Sequence, residues 1–300
     1  MNEPLQDILV RGTAWGGSIR VFAARTTRLV DEMRRRHGTL PTATAALGRA
    51  ATAAAMMGAM LKGDEKLTVQ IKGEGPLGQI VVDANAKGEV RGYVDHPSVH
   101  LASNSQGKLD VAGAVGRNGH LHIIKDLGLK EPYRGSVPII SGELGEDFTY
   151  YFAVSEQTPS AVGLGVLVDT DGSVLHAGGF IIQILPGLTD AELDKLERAI
   201  GAMPPVTSLL DQGETPEEIL RFAVGDDLQI HDTMELRFQC KCSRDRVERT
   251  LISMGEEELR SLAEEEGKAE VVCHFCNEAY SFDKPQLEAL LHRVKAKNGT

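Results

Sequence analysis

All four cysteines of this chain lie in its last quarter, as Cys240-Lys-Cys242 and Cys273-His-Phe-Cys276, and the 239 residues before them contain none. Two close thiol pairs separated by a spacer make a tetrathiolate metal site, most simply for zinc. Zn²⁺ prefers four tetrahedral soft ligands, and sulfur suits it. Each pair needs only one turn of chain to present two ligands, which lowers the entropy of assembling four. His274 could replace one thiolate, but with four sulfurs present it is expected to point outward. The competing use of paired cysteines is a set of structural disulfides in a secreted protein. The opening Met-Asn-Glu-Pro-Leu-Gln-Asp has neither the basic nor the apolar region of a secretory leader. No run of about 18 apolar residues is present to span a bilayer. The expectation is a cytoplasmic chain with no membrane partner, whose reduced thiols hold one zinc.

Charge narrows the function classes. The chain carries 43 acidic and 32 basic residues, a net charge of −11. Segment 183–232 alone holds 11 acidic against 3 basic residues, and so most of the excess. An acidic chain lacks the broad basic footprint of a nucleic-acid binder. A local cluster, Lys241, Arg244, Arg246 and Arg249, keeps a zinc-ribbon nucleic-acid-binding module open as the alternative.

The first 182 residues alternate strand and helix patterns, an α+β reading. Strands are expected around Ile8–Arg11 and Ser18–Ala23, with a turn at Gly16-Gly17, then a helix over 27–37 stopped by Gly38. Residues 42–62 are strong helix formers with only Arg49 charged before Lys62. A helix apolar nearly all round is buried on all sides. Strands follow at 67–71, 78–82, 89–94, 120–124 and 137–140, then a helix over 144–155, then strands at 161–168 and 173–185. Gly73-Glu-Gly-Pro-Leu-Gly78 matches the dinucleotide-binding glycine string. That string must open a helix to hold a pyrophosphate, and here Pro76 and a following strand pattern make it a turn. His120 and His122 share one strand face without cysteine or carboxylate company and read as surface histidines. No nucleophile elbow, Walker loop or zinc-protease helix is found, so no catalytic set is assigned and the chain is not expected to be an enzyme.

Segment 183–232 differs. Thr189-x-x-Glu192 and Thr215-Pro-Glu-Glu218 are capping boxes opening two short amphipathic helices, separated by Met203-Pro-Pro-Val. Helices this short are marginal alone and must dock on something. The segment reads as a conditional linker, with a permanently folded subdomain as the other possibility. Residues 233–300 read as a small module: a strand at 234–238, helices from Ser243 to Met254 and over 256–265, a hairpin through Val271-Val272 and Tyr280-Ser-Phe282, and a last helix from about Pro285. So small a core calls for a metal. The expected domains are 1–182, 183–232 and 233–300.

The thiols also carry redox chemistry. Structural zinc contributes roughly 10–16 kcal/mol in small peptides, more than the net stability of most domains, about 5–15 kcal/mol. Oxidation would release the metal. Cys273 and Cys276 have the spacing of a common redox disulfide. A Cys240–Cys242 bridge closes across one residue, and strained bridges are the labile, regulatory kind. Lys241, Arg244 and Arg246 would favour the thiolate at the first pair. A purely structural zinc site is equally compatible with these residues, and a thiol oxidoreductase lacks the βαβ setting such enzymes use.

The residues resemble the heat-shock protein 33 family over essentially the whole length. The resemblance rests on Cys240-x-Cys242-Ser243 and Cys273-x-Phe-Cys276-x₃-Tyr280-x-Phe282. Upstream it rests on Gly48-Arg49-Ala50, Gly73-x-Gly-Pro-Leu-Gly78, Ser155–Ser160, Gly178-Gly-Phe180 and Gln183-x-Leu-Pro-Gly187. It implies a redox-regulated, ATP-independent holdase chaperone that binds unfolded client proteins. In the reduced state Cys240, Cys242, Cys273 and Cys276 would hold one zinc and the chain would be inactive. Peroxide or hypochlorite with heat would form Cys240–Cys242 and Cys273–Cys276 disulfides, expel zinc and melt the linker. The active form would be a homodimer. The resemblance also implies a layered β/α/β N-terminal domain around a buried central helix, the role that 42–62 fits, followed by a helical linker and a small zinc-binding redox-switch domain.

Overall fold

The computed structural model describes residues 6–298, with side chains described to Val294. The first five residues, on which the expectation about a secretory leader partly rests, lie outside that range. The chain forms two compact units that divide between Gln239 and Cys240.

The first unit contains, in order, β1 (Ile8–Ala14), β2 (Ile19–Arg25), α1 (Thr27–His37), α2 (Pro41–Gly58), β3 (Lys66–Lys72), β4 (Gln79–Asn85), β5 (Glu89–Val94), α3 (Val111–Val115), β6 (His120–Asp126), β7 (Tyr133–Pro138), α4 (Gly145–Val154), β8 (Ser160–Val168), β9 (Val174–Ile184), α5 (Asp190–Gly201), α6 (Val206–Asp211), α7 (Pro216–Val224), β10 (Gln229–Glu235) and β11 (Arg237–Phe238). The strands make a five-stranded sheet, β10-β1-β2-β9-β8, and a six-stranded sheet, β11-β5-β4-β3-β6-β7.

The central helix α2 sits between the sheets, packing on β3, β4 and β5 on one side and on β2, β8 and β9 on the other. Every residue in it except Pro41 and Arg49 is buried. Its alanines let both sheets approach closely, and at Gly48 a Cβ would lie 2.6 Å from a Val30 methyl and 2.8 Å from one of Val166. Its threonines hide their hydroxyls in hydrogen bonds: Thr52 Oγ1 donates to Gly48 O at 2.8 Å and meets Thr26 Oγ1 at 2.7 Å. The expected buried helix is thus present, ending at Gly58 rather than Lys62. The fold is mixed α+β, with layers β/α/β.

The remaining polar groups in the core are satisfied locally. Buried Asp147 accepts from the N–H groups of Ile140, Ser141, Gly142 and Leu144 at 2.7–3.0 Å, fixing the loop before α4. Buried Asp7 accepts from the N–H groups of Arg28 and Leu29 at 3.2 and 2.7 Å and so caps α1 from outside. Burial outweighs these bonds and pushes its carboxyl up to about 6. The loop 73–78 is a tight turn from β3 into β4 with no helix behind it, as the position of Pro76 predicts.

The second face of the five-stranded sheet carries α5, α6 and α7. Leu196, Leu209, Leu210, Ile219 and Leu220 pack with Ile19, Val21, Ala23, Phe180 and Ile182 in one buried cluster. Both capping boxes are formed: Thr189 Oγ1 accepts from Glu192 N, and Thr215 Oγ1 from Glu218 N, each at 3.3 Å. The Met203-Pro-Pro break leads into a further helix, α6, that periodicity over so few residues does not signal.

The strand expected at 234–238 at the start of the small module sits elsewhere. β10 pairs antiparallel with β1, Ile8 opposite Glu235, and β11 pairs parallel with β5, Arg237 opposite Glu89. Both belong to the first unit, so its chain runs to Gln239. Long-range pairing decides this, and local pattern cannot reveal it. Arg36 stacks on Phe238 at 4.6 Å and Arg237 pairs with Glu89 at 3.1 Å, tying down the residues just before Cys240.

Candidate metal centre

The second unit comprises α8 (Arg244–Ser253), α9 (Glu256–Ser261) continued by a π turn over Leu262–Glu266, β12 (Lys268–Val272), β13 (Ala279–Asp283) and α10 (Lys284–Asn298). Its core is small: Val247, Leu251, Leu259, Phe282, Leu287 and Leu290 with a few neighbours. β12 and β13 form the expected hairpin, with Val272 opposite Ala279. Its turn carries the second cysteine pair. Cys273 N donates to Glu278 O at 2.9 Å, and Asn277 N to Cys273 O at 2.8 Å. Asn277 takes the left-handed backbone (φ 58°), which asparagine tolerates better than most residues. The turn therefore holds Cys273 and Cys276 on one side of the hairpin tip. The first pair is presented by the extended residues before α8. Ser243 stops that extension by accepting from Arg246 N at 3.3 Å, the cap expected from sequence.

All four Sγ atoms lie within 4.8 Å of one another. Cys240 Sγ is 3.8 Å from Cys273 Sγ, and Cys242 Sγ is 3.2 Å from Cys276 Sγ. None of the four is in a disulfide. Zn–S bonds of about 2.3 Å in a tetrahedron set the sulfurs about 3.8 Å apart, so the cluster is close to the size a single ion needs. Cys276 is buried and the other three are half-buried. Burial pushes the thiols of Cys273 and Cys276 up. Four thiolates this close repel one another, and a dication is the natural compensation. The donor set therefore fits a tetrathiolate-bound metal ion. His274 is exposed and is not part of the cluster.

Two supporting contacts have no signal in the spacing of the cysteines. Tyr280 Oη donates to Cys242 Sγ at 3.2 Å, a hydrogen bond to the sulfur of the kind that orients a ligand. Arg244 stacks on Phe282 at 4.2 Å and donates to Ser281 O and to Gln286 Oε1 at 3.1 and 2.9 Å. It is a packing residue of this module, which weakens the reading of the local basic cluster as a nucleic-acid contact. His120 and His122 lie stacked on β6 with ring centroids 5.8 Å apart, on a strand face as expected.

The layered fold and the tetrathiol module together define a class: a two-unit α+β protein whose smaller unit is built around a metal-capable cysteine cluster. The model of the Hsp33 protein family matches residues 7–283. A "33 kDa chaperonin" of Geobacillus sp. is 55% identical over 98% of this chain and 100% of that protein. One of Bacillus subtilis is 56% identical, covering 95% of this chain and 98% of the relative. The crystal structure of the 33 kDa chaperonin (heat shock protein 33 homolog) of Thermotoga maritima superposes with a TM-score of 0.91 at 39% identity, over 99% of this chain and 100% of that one. The chain belongs to the Hsp33 family.

Proposed function

We propose that this chain is a chaperone of the holdase type, working without ATP and switched by oxidation of its cysteines. The observation that carries the reading is the cluster of four sulfurs within 4.8 Å, in a chain whose relatives are named chaperonins. In the resting state Cys240, Cys242, Cys273 and Cys276 hold one zinc as thiolates. The ion would offset half of their charge and would join the two ends of a module with little core of its own. Peroxide then takes four electrons from the four thiolates. Two disulfides form, Cys240–Cys242 and Cys273–Cys276. Two peroxide molecules and four protons leave as four waters, and the ion is released.

The acidic segment 183–232 is the element this switch acts on. Its helices stay folded by docking on the five-stranded sheet, and the residues that follow it lead straight into Cys240. Loss of the folded module lets β10 and β11, which join it to the segment, release from their sheets, and α5 to α7 detach with them. The apolar rows Ile19-Val21-Ala23 and Phe180-Ile182 then become available to partly unfolded clients. The oxidised form works as a homodimer in the cytoplasm, with no catalytic role and no nucleic-acid or membrane partner. Among the described residues no helix is long and apolar enough to cross a membrane.

The test is light scattering of a heat-unfolded client in the presence of reduced or peroxide-treated protein. Suppression is expected only after oxidation, with one zinc released per chain and a parallel loss of helical circular dichroism. Equal suppression in both states would sink the switch.

A further inference from the structure

The five-stranded sheet ends at β8, and the outward edge of that strand is covered over only part of its length. Ile184 N donates to Pro159 O at 2.8 Å, which fixes the alternation of the β8–β9 ladder. In an antiparallel pair every second residue turns its main-chain groups to the partner. Ala161, Gly163 and Gly165 face β9, so Val162, Leu164 and Val166 face outward. Val162 shows it directly, since its N–H donates to Thr149 Oγ1 of α4 at 3.2 Å. Beyond that point α4 makes no such bond. Among the described residues no hydrogen bond reaches the outward groups of Leu164 or Val166.

These groups are recessed. Gly165 and Val166 are buried and Leu164 is half-buried. The run Gly163–Val168 lines a cleft of about 630 Å³, walled by Arg49 of α2 and Lys108 on one side and by Pro205 and Thr207 on the other. The Nε of Arg49, a buried donor without a partner, belongs to the same wall. Main-chain groups in a recess are normally paired, and leaving them unpaired is costly. The complement to N–H and C=O groups repeating every second residue is another extended main chain.

We propose that β8 takes an extended segment of an unfolded polypeptide as an added strand in this cleft. The proposal rests on the holdase reading above and gives it a second, sequence-independent contact, because main-chain pairing reads no side chain. An added strand needs a lane only about 4.8 Å from β8. In the oxidised form the Pro205 and Thr207 wall leaves with α6 but Arg49 and Lys108 stay, and a second folded copy of this chain would have to bring its own edge past them, so a single extended chain is the better fit.

Hydrogen exchange of the oxidised full chain tests this, with and without a reduced, carboxymethylated protein that cannot refold. The amides of Leu164 and Val166 are expected to slow about tenfold or more on binding. Val166→Pro removes an outward N–H that β9 does not use, a position where a strand edge accepts proline. Because Val166 also packs on α2, Val166→Ala, which trims the same side chain and keeps the N–H, is the control, and the proline variant is expected to suppress aggregation several-fold less well than that control. If the variant folds poorly, exchange in the unsubstituted chain decides alone. Unprotected Leu164 and Val166 amides in a chain that does suppress aggregation would overturn strand addition and leave the holdase reading intact. A chain that suppresses nothing in either redox state would overturn both.

Discussion

The two faces of the five-stranded sheet are made by the same strands and closed in opposite ways. On one face, Phe22, Ala24, Val166 and Ile181 meet α2, an 18-residue helix buried on nearly every side and backed by a second sheet. On the other, Ile19, Val21, Phe180 and Ile182 meet three short helices. The longest of them, α5, has only Leu196 buried. Alternate residues of a strand thus support one cover that cannot leave without unfolding the unit and one made of three short helices over a smaller buried cluster. Stability is not uniform across a fold, and elements that move belong to its weakly held end.

The largest expected effect tests what keeps the weaker cover in place. Cys276→Ser removes the most buried ligand. With the proposed ion bound, the thiolate set would contribute on the order of 10 kcal/mol, so residues 240–300 should lose protection from exchange while α2 keeps its own. Protection unchanged in the second unit would show that its apolar core suffices without the ion. Next comes a matched pair of cavities. Leu47→Ala and Leu220→Ala each remove a side chain that is essentially fully buried, at about 2–5 kcal/mol. Leu47→Ala should lower the global melting temperature. Leu220→Ala should instead open α7 locally and give the reduced protein part of the holdase activity proposed for the oxidised protein. Equal global destabilisation by both would erase the distinction between the faces. The smallest effect is at the cap: Thr215→Ala costs about 1 kcal/mol, read as faster exchange confined to α7.

Much of this was legible in the sequence. Ala-rich 42–62 with Arg49 as the one charge before Lys62 marks a buried helix, four residues longer at its end than the one formed, and the two Thr-x-x-Glu boxes mark the starts of α5 and α7. The four cysteines mark the candidate metal centre. What was not legible depended on distant partners. Residues 234–238 look like the start of the tail module, yet pairing with β1 and β5 recruits them into the two sheets. β7 starts at Tyr133, ahead of its apolar Val137-Pro-Ile-Ile140 stretch, because pairing with β6 extends it. The hydrogen bond from Tyr280 to Cys242 joins residues on different elements, and no local spacing records it.

The sulfur cluster has a consequence in polymer terms. Its closest contacts join positions 33 and 34 residues apart, so a shared ion is a long-range crosslink enclosing α8, α9 and β12. Closing a loop of that size restricts the unfolded chain by about 4 kcal/mol in the chain-entropy account. The proposed disulfides pair neighbours instead and enclose one or two residues each. Oxidation would then add covalent bonds and still lengthen the tether, leaving the module with more freedom to lose its shape than it had before.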